Sequence, residues 1–235
     1  SIMIVMGIDT SASVGGAALV DTTTLLAEYT LTIHHGHSER IIPTVQQLLV
    51  DAELAIDDIT AFAVVTGPGS FTGIRVGLAT VAGFAYSMHK PLVPLTSMEV
   101  LAWQNSSYPF YICPLIDARR HEVFTQLYRA GEPINNPAVV SVAELLSQLQ
   151  MLDSPVLLVG SGAQVYRREL EQLEYAVFPP LEAMQIRPAS VAGLGLYRLQ
   201  QGTKRQWFEV QPFYMRKSSA EDKFDLAEMN HESGR

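Results

Sequence analysis

Short apolar segments and longer amphipathic segments alternate along most of the chain. Brief apolar runs bounded by glycine, proline or polar turn residues predict β-strands, and apolar residues three and four positions apart predict helices. The predicted strands are 2–8, 14–20, 25–33, 61–66, 92–95, 111–116, 122–128 and 156–159, and the predicted helices are 38–51, 71–88, a short one after Thr96, 142–149, 164–173 and 190–200. Strands and helices mixed in this order predict an α/β protein.

One local pattern occurs twice in the chain. A strand ending in Ile-Asp, followed by a turn and a second strand, is found at Ile8-Asp9 and again at Ile116-Asp117. Such internal similarity indicates two related lobes. The expected divisions are residues 1–105 for the first lobe, with segment 205–220 packing back on it, residues 106–204 for the second lobe, and residues 217–235 for a polar, flexible tail.

Composition and charge narrow the class of protein. Of the 235 residues, 48% are hydrophobic and 17% are charged, as in a packed globular protein. The formal net charge of −8 argues against tight autonomous binding to nucleic acid, although a local basic patch can exist in an acidic chain. A single cysteine excludes an intramolecular disulfide. The sequence shows neither a signal peptide nor an apolar run of membrane length, and we therefore expect a cytoplasmic protein.

The predicted helix 71–88 has two faces without charge. One is an apolar stripe made of Ile74, Leu78, Val81, Ala85 and Met88, and the other consists of Gly73, Gly77, Thr80, Gly83 and Ser87, with Phe84 among them. A glycine inside a helix costs about 0.5–1 kcal/mol relative to alanine, so three of them require a packing reason. The second face therefore predicts the close approach of another helix. That helix is either 38–51 of the same chain or part of a partner, and periodicity leaves both open.

Two turns are candidates for phosphate chemistry. Asp9-Thr10-Ser11 offers a carboxylate and two hydroxyls, which can hold hydrated Mg²⁺ and phosphate oxygens. An Asx turn explains Asp9 equally well. The corresponding turn of the second lobe, Asp117-Ala118-Arg119-Arg120, is bulky and lacks glycine, so only half of a phosphate clamp is intact. The segment Gly67–Arg75 lacks the spacing and the lysine of a P-loop, and we favour a tight turn with Ser70 as a helix N-cap.

The remaining reactive side chains favour structural roles. His34, His35 and His37 precede a helix at a spacing that matches no helical ligand pair, and polar loop residues are the favoured interpretation over a metal site. Cys113 lies in an apolar strand and is interpreted as a core thiol.

Several motifs together resemble a known family. They are Gly7-Ile8-Asp9-Thr10-Ser11, His37–Pro43, Gly67–Gly77, Ile116-Asp117-Ala118-Arg119, Val159-Gly160-Ser161-Gly162 and Pro212-Phe213-Tyr214-Met215-Arg216. In this order they look like the TsaB (YeaZ) family of bacterial tRNA threonylcarbamoyladenosine biosynthesis proteins. The stretch Gly-Pro-Gly-Ser-Phe-Thr-Gly-Ile-Arg is the most specific of them.

The resemblance implies a fold and a set of partners. The implied fold is the two-lobed actin/Hsp70/sugar-kinase (ASKHA) fold, with mixed sheets flanked by helices. The implied partners are a paralogous catalytic subunit, TsaD, and an ATPase, TsaE. With them the family forms N6-threonylcarbamoyladenosine at position 37 of tRNAs that read codons beginning with A. The tRNA is expected to be reached only through this complex.

Family members dock on TsaD, and can also self-associate, through the two helices described above. The candidate interface residues are Ser38, Ile41, Ile42, Val45, Phe71, Gly73, Ile74, Val76, Gly77, Thr80 and Phe84. Gly77→Arg is accordingly expected to block docking without unfolding the chain. The turn Asp9-Thr10-Ser11 would be a vestigial phosphate loop. No cofactor is expected to be required, although weak or interface-bound ATP or ADP is compatible with the resemblance.

A comparison with the catalytic paralogs bears on catalysis. After the strand at 92–95 the paralogs continue with Asn-His-Met-Glu-Gly-His, whose histidines bind metal, whereas this chain continues with Thr96-Ser97-Met98-Glu99-Val100-Leu101. Ser97 and Leu101 stand where the histidines would be, and neither is a credible metal ligand. We therefore expect a non-catalytic scaffold that activates TsaD. The alternatives are a self-sufficient ATPase or kinase of the same fold and a glycoprotease-like metallopeptidase.

Overall fold

A computed structural model of the protein describes residues 2–32 and 37–215, with the first two residues of the second range described in backbone only. The strands are β1 (Val5–Asp9), β2 (Val14–Val20), β3 (Leu25–Thr32), β4 (Ala61–Gly67), β5 (Leu92–Thr96), β6 (Tyr111–Arg119), β7 (Glu122–Thr125), β8 (Tyr128–Arg129), β9 (Glu132–Pro133), β10 (Ala138–Ser141), β11 (Val156–Val159) and β12 (Ala176–Val177). The helices are α1 (His37–Asp51), α2 (Phe71–Met88), α3 (Ser97–Gln104), α4 (Val142–Gln150), α5 (Ser161–Val165), α6 (Arg167–Leu170), α7 (Leu181–Met184) and α8 (Pro188–Gln200). Two 3₁₀ turns lie at Ile56–Asp58 and Trp207–Glu209.

The first unit comprises the described residues up to Val100 together with Ile186–Tyr214. Its sheet has the strand order β3-β2-β1-β4-β5, in which β1, β2 and β3 are antiparallel and β1, β4 and β5 are parallel. Successive side chains of a strand point to opposite faces. Met6 and Ile8 accordingly join the core under α1 and α2, whereas the intervening Gly7 faces α8.

Helix α8 packs against the sheet at two glycines. A Cβ atom at Gly7 would lie 2.3 Å from the backbone nitrogen of Ala192, and one at Gly195 would lie 2.4 Å from Cβ of Ala63. The expected assignment of this helix to the second lobe, within 106–204, is therefore wrong. Periodicity identifies an amphipathic helix but does not indicate which sheet its apolar face covers.

The second unit comprises Leu101–Gln185 and Met215 of the described residues, and its sheet has the main order β10-β7-β6-β11-β12. Strands β6, β7 and β10 are antiparallel, and β6, β11 and β12 are parallel. This is the same order and the same set of directions as in the first sheet. The repeated Ile-Asp turn thus marks a repeated fold, and the expected two-lobed α/β class is confirmed. The predicted tail, 217–235, lies outside the described residues.

Some predicted elements differ in detail. The strand predicted at 122–128 is divided into β7 and β8, and the helix predicted at 164–173 is the pair α5 and α6. The pair is interrupted at Tyr166, where the backbone leaves helical geometry at φ −103° and ψ 18°. Residue-level periodicity carries no signal for such a break.

Candidate partner interface and residual phosphate turn

The start of α2 is fixed by a side-chain cap. Ser70 has an extended backbone, and its hydroxyl accepts a hydrogen bond of 3.2 Å from the backbone N–H of Gly73. The N–H of Ser70 itself donates to the carbonyl of Ser11 at 2.7 Å. The predicted tight turn with Ser70 as N-cap is therefore confirmed, and it joins the start of α2 to the turn after β1.

That turn is closed on itself and buried. Oδ1 of Asp9 accepts hydrogen bonds from the backbone N–H of Ser11 at 2.9 Å and from its hydroxyl at 2.6 Å, which is an Asx turn. The Thr10 hydroxyl donates to the carbonyl oxygen of Gly73 at 2.6 Å. All three side chains are buried. The hydroxyls that could hold a phosphate are therefore already hydrogen-bonded within the protein.

The same turn explains two of the three helical glycines. A Cβ atom at Gly73 would lie 2.0 Å from the carbonyl oxygen of Thr10, and one at Gly77 would lie 2.3 Å from its Oγ1. The expectation that another helix requires these glycines is therefore wrong for both positions. The expectation that Gly77→Arg leaves the chain folded is also wrong, because the new side chain would collide with a buried loop.

The candidate interface residues differ in how far they are exposed to solvent. The predicted apolar stripe of α2 faces the core, and five of the candidates are buried in the first unit, namely Ile41, Val45, Gly73, Ile74 and Gly77. These five are corrected to packing residues, because their contacts are with their own sheet and loop. Val76, Thr80 and Phe84 are half-buried. Ile42 and Phe71 remain exposed, at 46% and 56%, and the side chain of Ser38 lies outside the described residues.

The outer surfaces of α1 and α2 still form an apolar face. Val50 of α1 is 68% exposed and continues the line of Ile42 at helical spacing. On α2 the exposed Ala79 and Gly83 continue the line of Val76. A Cβ atom at Gly83 would meet nothing within 4 Å. The list of candidate interface residues omitted Val50, Ala79 and Gly83, although Gly83 belongs to the small-residue face described from the sequence, and plotting the exposed positions of both helices could have found the other two. We call these residues, with Ile42, Val76 and Thr80, the outer helix face.

The end of the described chain packs beside the start of α2. The backbone N–H of Phe213 donates to the carbonyl of Thr66 at 2.8 Å. The Arg75 guanidinium lies 3.7 Å from the ring centre of Phe71, and it donates to the Tyr214 hydroxyl at 3.2 Å. Arg75 therefore has both an aromatic contact and a hydrogen bond. Its hydrogen bond to Tyr214 links the Pro-Phe-Tyr motif to the helix that follows the Gly-Pro-Gly-Ser motif.

In the second unit the turn after β6 is unusually constrained. Arg119, Arg120 and His121 have φ values of 67°, 53° and 60°. Non-glycine residues pay about 1–2 kcal/mol each for this left-handed conformation. The turn is held by Asp117, whose Oδ1 accepts from the N–H of Arg119 at 2.9 Å and from the hydroxyl of Tyr166 at 3.1 Å. Burial and this hydrogen bond raise the pKa of Tyr166.

Comparisons with known proteins identify the family. The family model described as TsaD, tRNA N6-adenosine threonylcarbamoyltransferase, matches residues 24–222. The tRNA threonylcarbamoyladenosine biosynthesis protein TsaB of Bacillus subtilis is 34% identical over 175 residues, which are 73% of this chain and 76% of the relative. The chain belongs to the TsaB (YeaZ) family. Its members include TsaB of Escherichia coli, 29% identical over 172 residues, which are 70% of this chain and 74% of that relative.

Two solved structures have the same fold as this chain. YeaZ from Pseudomonas aeruginosa is 23% identical, with a TM-score of 0.76 over 91% of this chain and all of that one. The activator of 2-hydroxyisocaproyl-CoA dehydratase from Clostridium difficile, solved with bound ADPNP, is 10% identical, with a TM-score of 0.51 over 91% of this chain and all of that one. The expected mixed α/β ASKHA fold is thereby confirmed.

Ser97 and Leu101, the two positions compared above with histidines, have structural roles in this chain. The Ser97 hydroxyl donates to the carbonyl of Pro68 at 2.6 Å, and it is buried. Leu101 is buried, and its Cδ1 lies 3.1 Å from the point that a Cβ atom at Gly160 would occupy. Within residues 2–32 and 37–215, no three His, Cys, Asp or Glu side chains are grouped as metal ligands would be. The predictions for His34 and His35, and for the side chain of His37, fall outside what the structure describes.

The environment of Cys113 bears on its predicted role as a core thiol. The Cys113 thiol is fully buried and lies 3.2 Å from the hydroxyl of Thr125. Burial raises the pKa of this thiol to about 12, so the thiolate is scarce at neutral pH and the predicted core role is confirmed.

None of the helices in the described part of the chain is both long enough and apolar enough to cross a membrane.

Proposed function

We propose that this chain is a non-catalytic subunit that docks on a TsaD-type catalytic subunit through the outer helix face. The complex, joined by a TsaE-type ATPase, would form N6-threonylcarbamoyladenosine at position 37 of tRNAs reading codons that begin with A. The observation that carries the proposal is the exposure of two large apolar side chains on α1, Ile42 at 46% and Val50 at 68%, together with the exposed small residues Ala79 and Gly83 on the adjacent α2. Contiguous exposed apolar surface marks sites of protein association.

The internal contacts of the candidate reactive positions support a role without catalysis. The hydroxyls of Thr10 and Ser11 bond within the protein, and Ser97 and Leu101 are used in packing. An activating subunit needs only a docking surface of ordinary size, about 800 Å² per partner. A second copy of this chain could occupy the same face when the partner is absent. We expect the assembly to work in the cytoplasm.

Reconstitution with tagged TsaD-type and TsaE-type proteins tests the proposal. The catalytic subunit should co-purify with this chain, and threonylcarbamoyladenosine should form on an unmodified tRNA transcript only when this chain is added. Modification at the full rate without the chain would contradict an activating role. Modification by the chain alone would contradict a non-catalytic one.

A self-sufficient ATPase is the second candidate, because the turn Asp9-Thr10-Ser11 is intact in sequence. Its hydroxyls would have to break their internal hydrogen bonds before they could hold Mg²⁺ and phosphate. Titration calorimetry of the isolated chain with Mg-ATP is therefore expected to give little or no heat. Saturable binding followed by release of phosphate would favour the ATPase instead.

A further inference from the structure

An aromatic cluster lies at the C-terminal end of α2, where Tyr86 follows Gly83 of the outer helix face at helical spacing. It consists of Tyr86, at the end of α2, and of Trp207 and Phe208, in the 3₁₀ turn Trp207–Glu209. These side chains are 61%, 40% and 64% exposed. The ring centres of Tyr86 and Trp207 are 5.3 Å apart, and those of Trp207 and Phe208 are 5.6 Å apart. Both pairs meet edge to face, at 73° and 88°, so no ring covers another by parallel stacking.

The surroundings of this cluster are basic, although the whole chain carries a net charge of −8. Lys204 and Arg205 are exposed and directly precede the aromatic turn. Arg205 pairs with Leu92 through two backbone hydrogen bonds of 2.9 and 2.8 Å, which bring it next to the segment that follows α2. That segment contributes Lys90. The sequence holds no carboxylate within 86–92 or 202–208.

Two carboxylates lie near the cluster, that of Glu209 next to it in sequence and that of Asp57 beside Lys90. Oε2 of Glu209 accepts the backbone N–H of Gln206 at 2.6 Å and caps the aromatic turn. Asp57 lies near Lys90, which donates to its backbone carbonyl at 3.3 Å. The side chains of Lys204 and Arg205 thus place two positive charges beside the exposed rings, with the single negative charge of Glu209 on the far side of Phe208 in sequence.

We infer that this cluster is a contact site for single-stranded RNA. Exposed aromatic rings next to lysine and arginine are the arrangement by which proteins stack unpaired bases and neutralise the adjoining phosphates. Protein interfaces are also enriched in aromatic residues and arginine, but they are depleted in lysine, and Lys204 therefore favours RNA. Arg205 also borders an open groove of about 370 Å³, lined in addition by Thr96, Glu209 and Phe213.

The choice of RNA over DNA rests on the proposed function, because stacking and phosphate contacts alone do not distinguish the two. The site would give the chain a direct contact with an unpaired segment of its tRNA. This differs from the expectation that tRNA is reached only through the complex.

The test uses the isolated full chain and a short fluorescein-labelled oligoadenylate. Trp207 is one of two tryptophans, so Trp103→Phe leaves it as the sole indole reporter. Saturable quenching of Trp207 fluorescence is expected, and Trp207→Ala should weaken binding by about tenfold or more in fluorescence anisotropy. Lys204→Glu should weaken binding and make it less sensitive to salt.

A matched control is provided by Phe110, which is 41% exposed and pairs with Tyr108 at 5.9 Å between ring centres. Phe110→Ala should leave RNA affinity within about twofold of the parent, because no lysine or arginine lies beside this ring in the sequence between residues 104 and 118. Phe208→Ala repeats the test should Trp207→Ala prove unstable in urea. The absence of saturable binding, or an equal loss in the Phe110 variant, would overturn the inference. Co-purification with a TsaD-type subunit is measured without RNA, so failure of one proposal does not imply failure of the other.

Discussion

Gly83→Arg is expected to abolish co-purification with a TsaD-type subunit while the isolated chain stays folded. Gly83 is exposed on the outer helix face, and an added Cβ atom would meet nothing within 4 Å. The monomer can therefore accept a long side chain there. A partner helix packed closely over Val76, Ala79 and Gly83 could not, because the guanidinium would be buried without a counter-charge. We expect the affinity to fall by about 100-fold or more.

Gly83→Ala is the control for this experiment. It adds one methyl group on the same face and should retain the complex, while helix propensity should raise the free energy of unfolding by about 0.5–1 kcal/mol. Affinities measured on a sensor surface, with urea unfolding of each isolated variant, separate docking from stability. Parental affinity in a folded Gly83→Arg chain would show that the partner binds elsewhere.

Some of the fold could be predicted because its signals are local. Helix α2 begins and ends where the sequence predicted, since Ser70 caps one end and the apolar period stops at the other. The short helix predicted after Thr96 is also present as α3. It starts with a capping box, in which the Glu99 carboxylate accepts the N–H of Thr96 at 3.0 Å and the Thr96 hydroxyl accepts the N–H of Glu99 at 3.1 Å. Each of these features depends on residues close together in the chain.

The errors concern contacts between distant parts of the sequence. A stripe of glycines shows that something approaches α2 closely, but not what. The Thr10 hydroxyl bonds to Gly73, 63 residues away, and no periodicity encodes that pairing. The same reasoning applies to α8, whose Gly195 faces Ala63 in a sheet that precedes the whole second unit. For the candidate interface, the sequence pattern therefore indicated the two helices correctly. It assigned some buried residues to the interface and left out some exposed ones.

Gly73→Ala should destabilise the chain strongly for this reason. The added methyl group would lie 2.0 Å from the carbonyl oxygen of Thr10 and 3.2 Å from Oγ of Ser70. The first contact is with backbone, which cannot rotate away. The loop and the helix are also tied by the hydrogen bond from Thr10 to Gly73 and by that from Ser70 to Ser11. We expect the free energy of unfolding in urea to fall by about 3 kcal/mol or more.

The comparison between the two glycines of α2 makes this result specific. Alanine improves intrinsic helix propensity equally at both positions, so propensity alone predicts a small gain for Gly73→Ala as well as for Gly83→Ala. Only the contact with Thr10 predicts that Gly73→Ala lowers the free energy of unfolding while Gly83→Ala raises it. If both variants proved more stable than the parent, the turn after β1 would not pack against α2 as described. The glycines would then need the partner helix that the sequence first suggested.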